Sequence, residues 1–386
     1  MNPGSNRSGL KQGRTILIFR IGQLGDTLVA MPAINEIRNK YLGHRMILLT
    51  DQQPSSRGLV SSWDVLGPTG WFDDVIHYTP AGKSIYQNIE NMLSIGKALR
   101  KISPVLVFDL SPDRNKYQKC RDRFFFRYMA GIPRYVGDAP FSMPKRIKGG
   151  GMPGVKPEWL RLLKIVDGSE NAPFRLNVPE GEERKAQEAL HAVGVKGDEI
   201  LLAFGPGSKM PAKRWPRKRF GELAVHLLTS YPDVELLLLG GREDIECSGE
   251  LWRGMEGRIH NLMGKLSIYG SAAVLKKCIA YVGNDTGTMH LAAMVGTPCV
   301  AIFSARDYPG KWDPYGKGHV VLRNDVECSG CMLEECRENS SKCLEMIAEE
   351  EVFSVLSGLL KVKQVQCLSY PQNHSLLWDE MDRSEG

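Results

Sequence analysis

Two well-separated stretches of this chain repeat one pattern: a short apolar run, a glycine turn, and then a segment with helical spacing of its apolar residues. The first begins at Thr15 and reads TILIFR, IGQLGD and TLVAMPAINEIRNKY, with a second apolar run at Arg45 to Thr50. A run this short and this apolar is a strand buried on both faces, and a parallel neighbour can be reached only through a crossover helix. The pattern therefore predicts βαβ units and a parallel sheet covered by helices. PVLVFDL at 104–110 extends this sheet, and NKYQKCRDRFFFRYMAG at 115–131 reads as a basic, aromatic helix.

The series resumes further along. A helix near 182–193 leads to strand EILLAF, helix WPRKRFGELAVHLLTSY, strand VELLLLG, a helix after Glu243, strand IAYVG, helix TMHLAAMVG and strand PCVAIFS. This predicts a second doubly wound sheet, so the fold class is α/β with two Rossmann-like domains facing a cleft. At 386 residues and 42% hydrophobic content the chain can bury two cores. The polar, proline-containing stretch 167–183 lacks periodicity and holds the linker. The expected division is a flexible leader at 1–13, an N-terminal domain at 14–170, a linker at 171–183, a C-terminal domain at 184–362 and a tail at 363–386. A last amphipathic helix is expected near 344–362, with an acidic, loosely ordered end at Pro371 to Gly386.

The longest apolar run, Leu291 to Phe303, is broken by Gly296, Thr297 and Pro298, so no membrane span is expected. Met1 to Gly13 is polar and lacks the apolar region of a secretory signal, from which cytoplasmic residence is expected. The charge is uneven. Residues 101–150 hold 11 Lys or Arg against 4 Asp, a surplus larger than the net +6 of the whole chain. One cationic surface that attracts an anionic partner follows from this; no nucleic-acid partner is expected. A solvated helix face is the plainer reading of the same charges.

Three motifs carry chemistry. In RIGQLGDTLVAMPAI (20–34), Gly22 and Gly25 permit a tight turn that brings Asp26 to the carboxyl edge of the sheet at a helix entry; it reads equally as a helix cap. The glycines do not follow the dinucleotide G-x-G-x-x-G spacing. In FGPGSKMPAKRWP (204–216), Gly205 to Ser208 can approach phosphate while Lys209, Lys213 and Arg214 supply cations. It is not a P-loop, and a solvated basic loop with Trp215 in the core fits the residues as well. In YVGNDTGTMHLAAMVGTPCVAIF (281–303), a buried strand runs to a capping Asp285 and a helix whose first N–H groups, at Thr286, Gly287 and Thr288, point at one small space. That arrangement suits phosphate, with His290 either facing the site or packed structurally.

GDTLVAMPAI, SKMPAKRWP and DTGTMHLAAMVGTPCVAIF together, in this order, resemble the successive signatures of glycosyltransferase family 9, the ADP-heptose:lipopolysaccharide heptosyltransferases. The resemblance runs from about Thr15 to Leu360 and implies the GT-B architecture, with the acceptor held by the N-terminal domain and the nucleotide sugar by the C-terminal one. It implies that Asp26 is a general base and that Lys213, with Lys209 as rival, neutralises the departing diphosphate. It implies that Ser208, Asp285, Thr286, Gly287, Thr288 and His290 line the donor site, and that Glu243 binds the ribose. The implied reaction is an inverting, metal-independent transfer from a nucleotide sugar, ADP-heptose, to an anionic glycolipid or glycan acceptor of lipopolysaccharide type. No cofactor is required for it. Arg20, Arg114 and Lys116 are expected on the acceptor side, where the basic stretch would meet the inner face of the cytoplasmic membrane. Another nucleotide sugar, a nucleotide-sugar epimerase and a non-catalytic scaffold are the competing readings. The segment Asp51 to Pro80, rich in Ser, Trp, Gly and Pro, reads as a loop that would help recognise the substrate.

Cys328, Cys331, Cys336 and Cys343 form C-x2-C-x4-C-x6-C. Their spacing allows a structural site for zinc or iron, and free or partly disulfide-bonded thiols are the alternative.

Overall fold

The structure is a computed structural model that describes residues 13–52, 60–79, 85–112, 114–137, 151–171, 173–197, 199–248, 257–337 and 340–369. The leader up to residue 12 and the tail beyond 369 lie outside the described residues.

β1 (Thr15–Phe19), β2 (Arg45–Asp51), β3 (Asp74–Tyr78), β4 (Leu106–Asp109) and β5 (Arg134–Gly137) form a five-stranded sheet in the order β3-β2-β1-β4-β5. Every pairing is parallel. Alternation along β1 shows why the helices fall on two sides. Ile16 and Ile18 pack with α2 (Met31–Lys40), which follows α1 (Leu24–Leu28); α3 (Ser62–Leu66) joins the same cluster through Val65 and Leu66. Leu17 and Phe19 pack on the other face against Leu99 of α4 (Ile85–Ile102) and the turn after α5 (Lys116–Phe124). That turn, Phe125–Met129, is a single π-helical turn.

The second sheet follows α6 (Glu158–Ile165) and α7 (Glu180–Ala192). β6 (Ile200–Gly205), β7 (Val234–Leu238), β8 (Ile259–Asn261), β9 (Ala280–Asn284), β10 (Cys299–Ile302) and β11 (Val320–Leu322) take the order β11-β10-β9-β6-β7-β8, again all parallel. α8 (Arg217–Ser230) and α12 (Glu349–Ser369), the latter preceded by α11 (Lys342–Glu345), cover one face through Phe220, Leu223, Val352 and Leu356. α9 (Ile268–Lys277) and α10 (Gly287–Met294) cover the other, and their apolar cluster continues into the first lobe as far as Ile16 and Ile34. Tyr269 donates a 2.8 Å hydrogen bond to the Val65 carbonyl across the same boundary.

β1 has β2 on one side and β4 on the other, and β6 has β7 and β9. Crossovers therefore leave in opposite directions there, which opens a crevice at the carboxyl ends of the strands. The loops after β1, β6 and β9 carry the three sequence motifs, so the topology gathers them.

Several expectations are corrected. Asp51 to Pro80 is not one loop: among its described residues it contains α3, capped by Ser61, and β3. β3 is an edge strand with half-exposed residues, so it lacks the apolar run that marks a buried strand. The helix after Glu243 is a 3-10 helix over Arg242–Ser248, and 249–256 lie outside the described residues. The apolar run Leu291 to Phe303 divides into the end of α10, a turn and β10. No helix among the described residues is long and apolar enough to cross a membrane.

Candidate active site

A cleft of about 510 Å³ opens between the two sheets. Ten of the residues singled out in the sequence line it: Asp26 on one side, and Ser208, Lys209, Lys213, Glu243, Asp285, Thr286, Gly287, Thr288 and His290 on the other.

Asp26 is the third residue of α1, and its Oδ2 accepts a 3.0 Å hydrogen bond from the Gln23 N–H. The cap and cleft readings thus hold together: the carboxylate fixes the first turn and still borders the cleft. Gly22, at φ +120°, is needed for this, because a Cβ there would lie 2.6 Å from the Asp26 Cβ. α1 then meets α10 almost backbone to backbone. A Cβ on Gly287 would fall 2.8 Å from Leu24 Cγ, so only glycine lets the two helix entries come this close.

The helix entry differs from expectation in one respect. Thr286, not Asp285, is the N-cap of α10, and no side chain caps it. Asp285 instead forms an ion pair with Lys213 at 2.6 Å. α10 therefore presents its first N–H groups, which helix geometry leaves without intrahelical partners, beside a largely buried lysine. Lys213 ends the 3-10 turn Pro211–Lys213. Asn284, fully buried, fixes the surroundings: its Oδ1 accepts from the Trp215 N–H at 2.9 Å, and its Nδ2 donates to the Pro206 and Gly207 carbonyls at 2.9 and 3.2 Å.

Lys209 reaches across the cleft. Its Nζ donates to Gln23 Oε1 at 2.9 Å and lies 3.8 Å from Glu243 Oε1. Asp244, which sequence reasoning missed, holds the turn before Glu243 by accepting from the Gly241 N–H at 3.0 Å; burial pushes its pKa up. His290 is buried, its Nδ1 has no hydrogen-bond partner, and burial depresses its pKa to about 4, against the opposing pull of Asp285. It is a neutral imidazole at neutral pH.

Arg306, Asp307 and Trp312 also line the cleft and were missed, because the loop after β10 has no glycine or phosphate-like signature. Trp312 Nε1 donates to Asp307 Oδ2 at 2.9 Å. The Arg306 guanidinium donates to the Leu333 and Met332 carbonyls at 2.7 and 2.9 Å, which ties the cleft wall to the cysteine segment. The same segment accepts from the Ala212 N–H through the Glu334 carbonyl at 3.0 Å, one residue from Lys213.

Arg20, Arg114 and Lys116 do not line the cleft. Arg20 is fully buried, and its guanidinium donates to the Leu110 and Asp26 carbonyls; burial lowers its pKa while Asp26 pulls the other way. It braces the turn that bears Asp26 rather than meeting an acceptor. Arg114 is paired with Asp122, with its guanidinium 5.5 Å from the Phe19 ring centre. Lys116 opens α5 and is exposed.

The four cysteines border one small pocket together with Ser304, Ala305 and Arg306. All four are free, and burial, with the neighbouring thiols adding to it, raises the Cys343 pKa. Among the described residues no group of three or more His, Cys, Asp or Glu is placed to hold a metal ion, so the expectation of zinc or iron finds no support there.

The family model described as glycosyltransferase family 9 (heptosyltransferase) matches residues 159–342. Lipopolysaccharide heptosyltransferase 2 of Escherichia coli (strain K12) is 29% identical over 191 residues, 48% of this chain and 53% of that protein. This match spans about half of that relative's length. Lipopolysaccharide heptosyltransferase 3 of the same strain is 24% identical over 343 residues, 87% of this chain and 95% of that protein. The solved structure of E. coli ADP-heptose lps heptosyltransferase II shares the fold with a TM-score of 0.64 at 19% identity, covering 91% of this chain and 99% of that one. Two parallel sheets facing a cleft are thus the GT-B architecture, and residues 159–342 carry the match to glycosyltransferase family 9.

Proposed function

We propose that the chain is an inverting glycosyltransferase that moves heptose from ADP-heptose to an anionic glycolipid or glycan acceptor of lipopolysaccharide type. The observation that supports this best is the Lys213–Asp285 pair at the entry of α10, with Asp26 on the opposite wall of the same cleft. In this reading the diphosphate lies on the N–H groups of Gly287 and Thr288, and Lys213 offsets the negative charge that grows on it as the glycosidic bond breaks. Asp26 takes the proton of the acceptor hydroxyl as that oxygen attacks the anomeric carbon from the opposite face. Glu243 accepts from the ribose diol, with Lys209 beside it. Neutral His290 keeps its place near the phosphates without adding a second buried cation. Charge neutralisation by lysine and helix terminus supplies what a divalent ion supplies elsewhere, so the transfer is metal-independent. The acceptor is lipid-linked, and the enzyme works at the inner face of the cytoplasmic membrane.

The experiment is calorimetric titration of ADP, UDP and GDP into the protein and into Lys213→Ala without added metal. Selective ADP binding, weakened by the substitution, supports the proposal. UDP or GDP selectivity removes the heptose donor while leaving a sugar-nucleotide enzyme. Binding of none of the three would return the scaffold reading.

A further inference from the structure

Twelve large apolar side chains stand exposed among the described residues, and six of them lie on two neighbouring helices of the first lobe: Tyr86, Ile89, Leu93, Tyr117, Phe124 and Tyr128. Scattered single exposures are ordinary, but concentration on one face is not. The spacing is regular. Residues 86, 89 and 93 follow the helical period along α4, and 117, 124 and 128 follow it along α5 and its π turn. Each helix has another stripe buried against the sheet, Leu99 in α4 and Phe125 and Phe126 after α5. The exposed stripes are therefore a second apolar face. They are joined: Arg100 Nη2 donates to the Tyr128 carbonyl at 3.3 Å, and the Phe124 and Tyr128 rings are 5.2 Å apart.

The same face is cationic. Lys97, Arg100, Lys101, Lys116, Arg123 and Arg127 are exposed on these helices. Asp109 and Asp122 are buried, so Glu90 is the exposed carboxylate among the described residues of 85–137.

Topology orients the face. α4 joins β3 to β4 and α5 joins β4 to β5, both on the side of the sheet lined by Leu17 and Phe19. Helices in parallel crossovers start where strands end, so Tyr86, Ile89 and Tyr117 sit towards the carboxyl edge, the edge that bears Asp26.

We infer that the outer face of α4 and α5 docks on an anionic lipid bilayer, with Tyr86, Ile89, Leu93, Tyr117, Phe124 and Tyr128 entering the interface and the cations meeting lipid headgroups. Aromatic and aliphatic stripes flanked by Lys and Arg are the composition of an interfacial surface, and each cation near such a membrane adds about 1 kcal/mol, roughly fivefold in binding. The inference rests on reading the cleft as that of a transferase with a lipid-linked acceptor: docking would bring the carboxyl edge to the surface in which that acceptor is anchored.

The test is co-sedimentation of the full chain with vesicles of phosphatidylcholine alone and of phosphatidylcholine mixed with phosphatidylglycerol, alongside ADP titration of every variant. Binding to the phosphatidylglycerol vesicles alone is expected, falling as salt is raised. Leu93→Ser/Phe124→Ser/Tyr128→Ser should abolish it, and Lys97→Glu/Arg127→Glu should weaken it by about 25-fold or more, with ADP affinity unchanged in both. Equal binding to both vesicle types, absence of vesicle binding, or variants that bind like the parent would overturn the inference. So would a dimer in sedimentation velocity that the triple variant turns into a monomer, which would assign the face to a second copy. Failure of ADP to bind at all would instead strike the transferase reading, whatever the vesicles show.

Discussion

Lys213 Nζ lies 2.6 Å from Asp285 Oδ2, and both side chains are largely buried, at 13% and 10% exposure. Removing one partner of such a pair leaves the other charge in a poorly solvated place, at a cost of about 3–5 kcal/mol. Lys213→Ala should therefore lower both stability and ADP affinity. Lys213→Ala/Asp285→Asn should regain most of the stability in urea denaturation but not the affinity. Recovery of both would mean that the lysine serves folding alone.

Asp26 accepts from the Gln23 N–H, and an asparagine oxygen can accept the same bond. Asp26→Asn should thus keep the fold and ADP affinity while turnover falls by about 10²–10⁴, the span of general-base contributions. Equal loss of ADP affinity and turnover, measured by titration and by ADP release in the presence of acceptor, would make Asp26 a structural cap.

Local signals account for what the sequence made legible. Apolar runs ending in glycine mark β1, β6 and β9, and parallel topology brings their carboxyl ends together; the roles of the site residues, Glu243 after β7 among them, came from the resemblance to glycosyltransferase family 9. Long-range relations left no such mark. Nothing in the chain announces that Lys213 pairs with Asp285 rather than Asp285 capping α10, since that depends on how two loops pack. Arg20 was expected on the acceptor side, yet its guanidinium donates to two carbonyls in the interior, a long-range relation with no mark in the local sequence. β3 was hidden because an edge strand needs no apolar run, and Arg306 because its loop has no local motif.

Gly287 meets Leu24 across the boundary between lobes, where an added Cβ would stand 2.8 Å from the leucine. Alanine fits the backbone of a first helical turn, so the cost of Gly287→Ala is steric and should be about 1–3 kcal/mol, as for other overpacked contacts. It should also part Asp26 from the donor wall, lowering turnover about tenfold or more. Leu24→Gly added to Gly287→Ala removes the leucine Cβ as well, which would itself stand 2.9 Å away, and should restore turnover. If the single variant turns over like the parent, the contact does not set the distance across the cleft.

His290 sets the acid limit. Burial depresses its pKa to about 4 from an unfolded value near 6.5, so the folded chain resists the proton that the unfolded chain accepts. Its contribution is complete above pH 6.5 and is lost as pH falls towards 4, by up to about 3 kcal/mol at 1.36 kcal/mol per pKa unit. His290→Gln, which cannot titrate, should lose less stability than the parent over that interval, and urea midpoints at pH 7, 6, 5 and 4 would show the two curves converging. Curves that stay parallel would mean that His290 takes its proton in the folded state, and with it that the imidazole lining the cleft is a cation rather than a neutral ring.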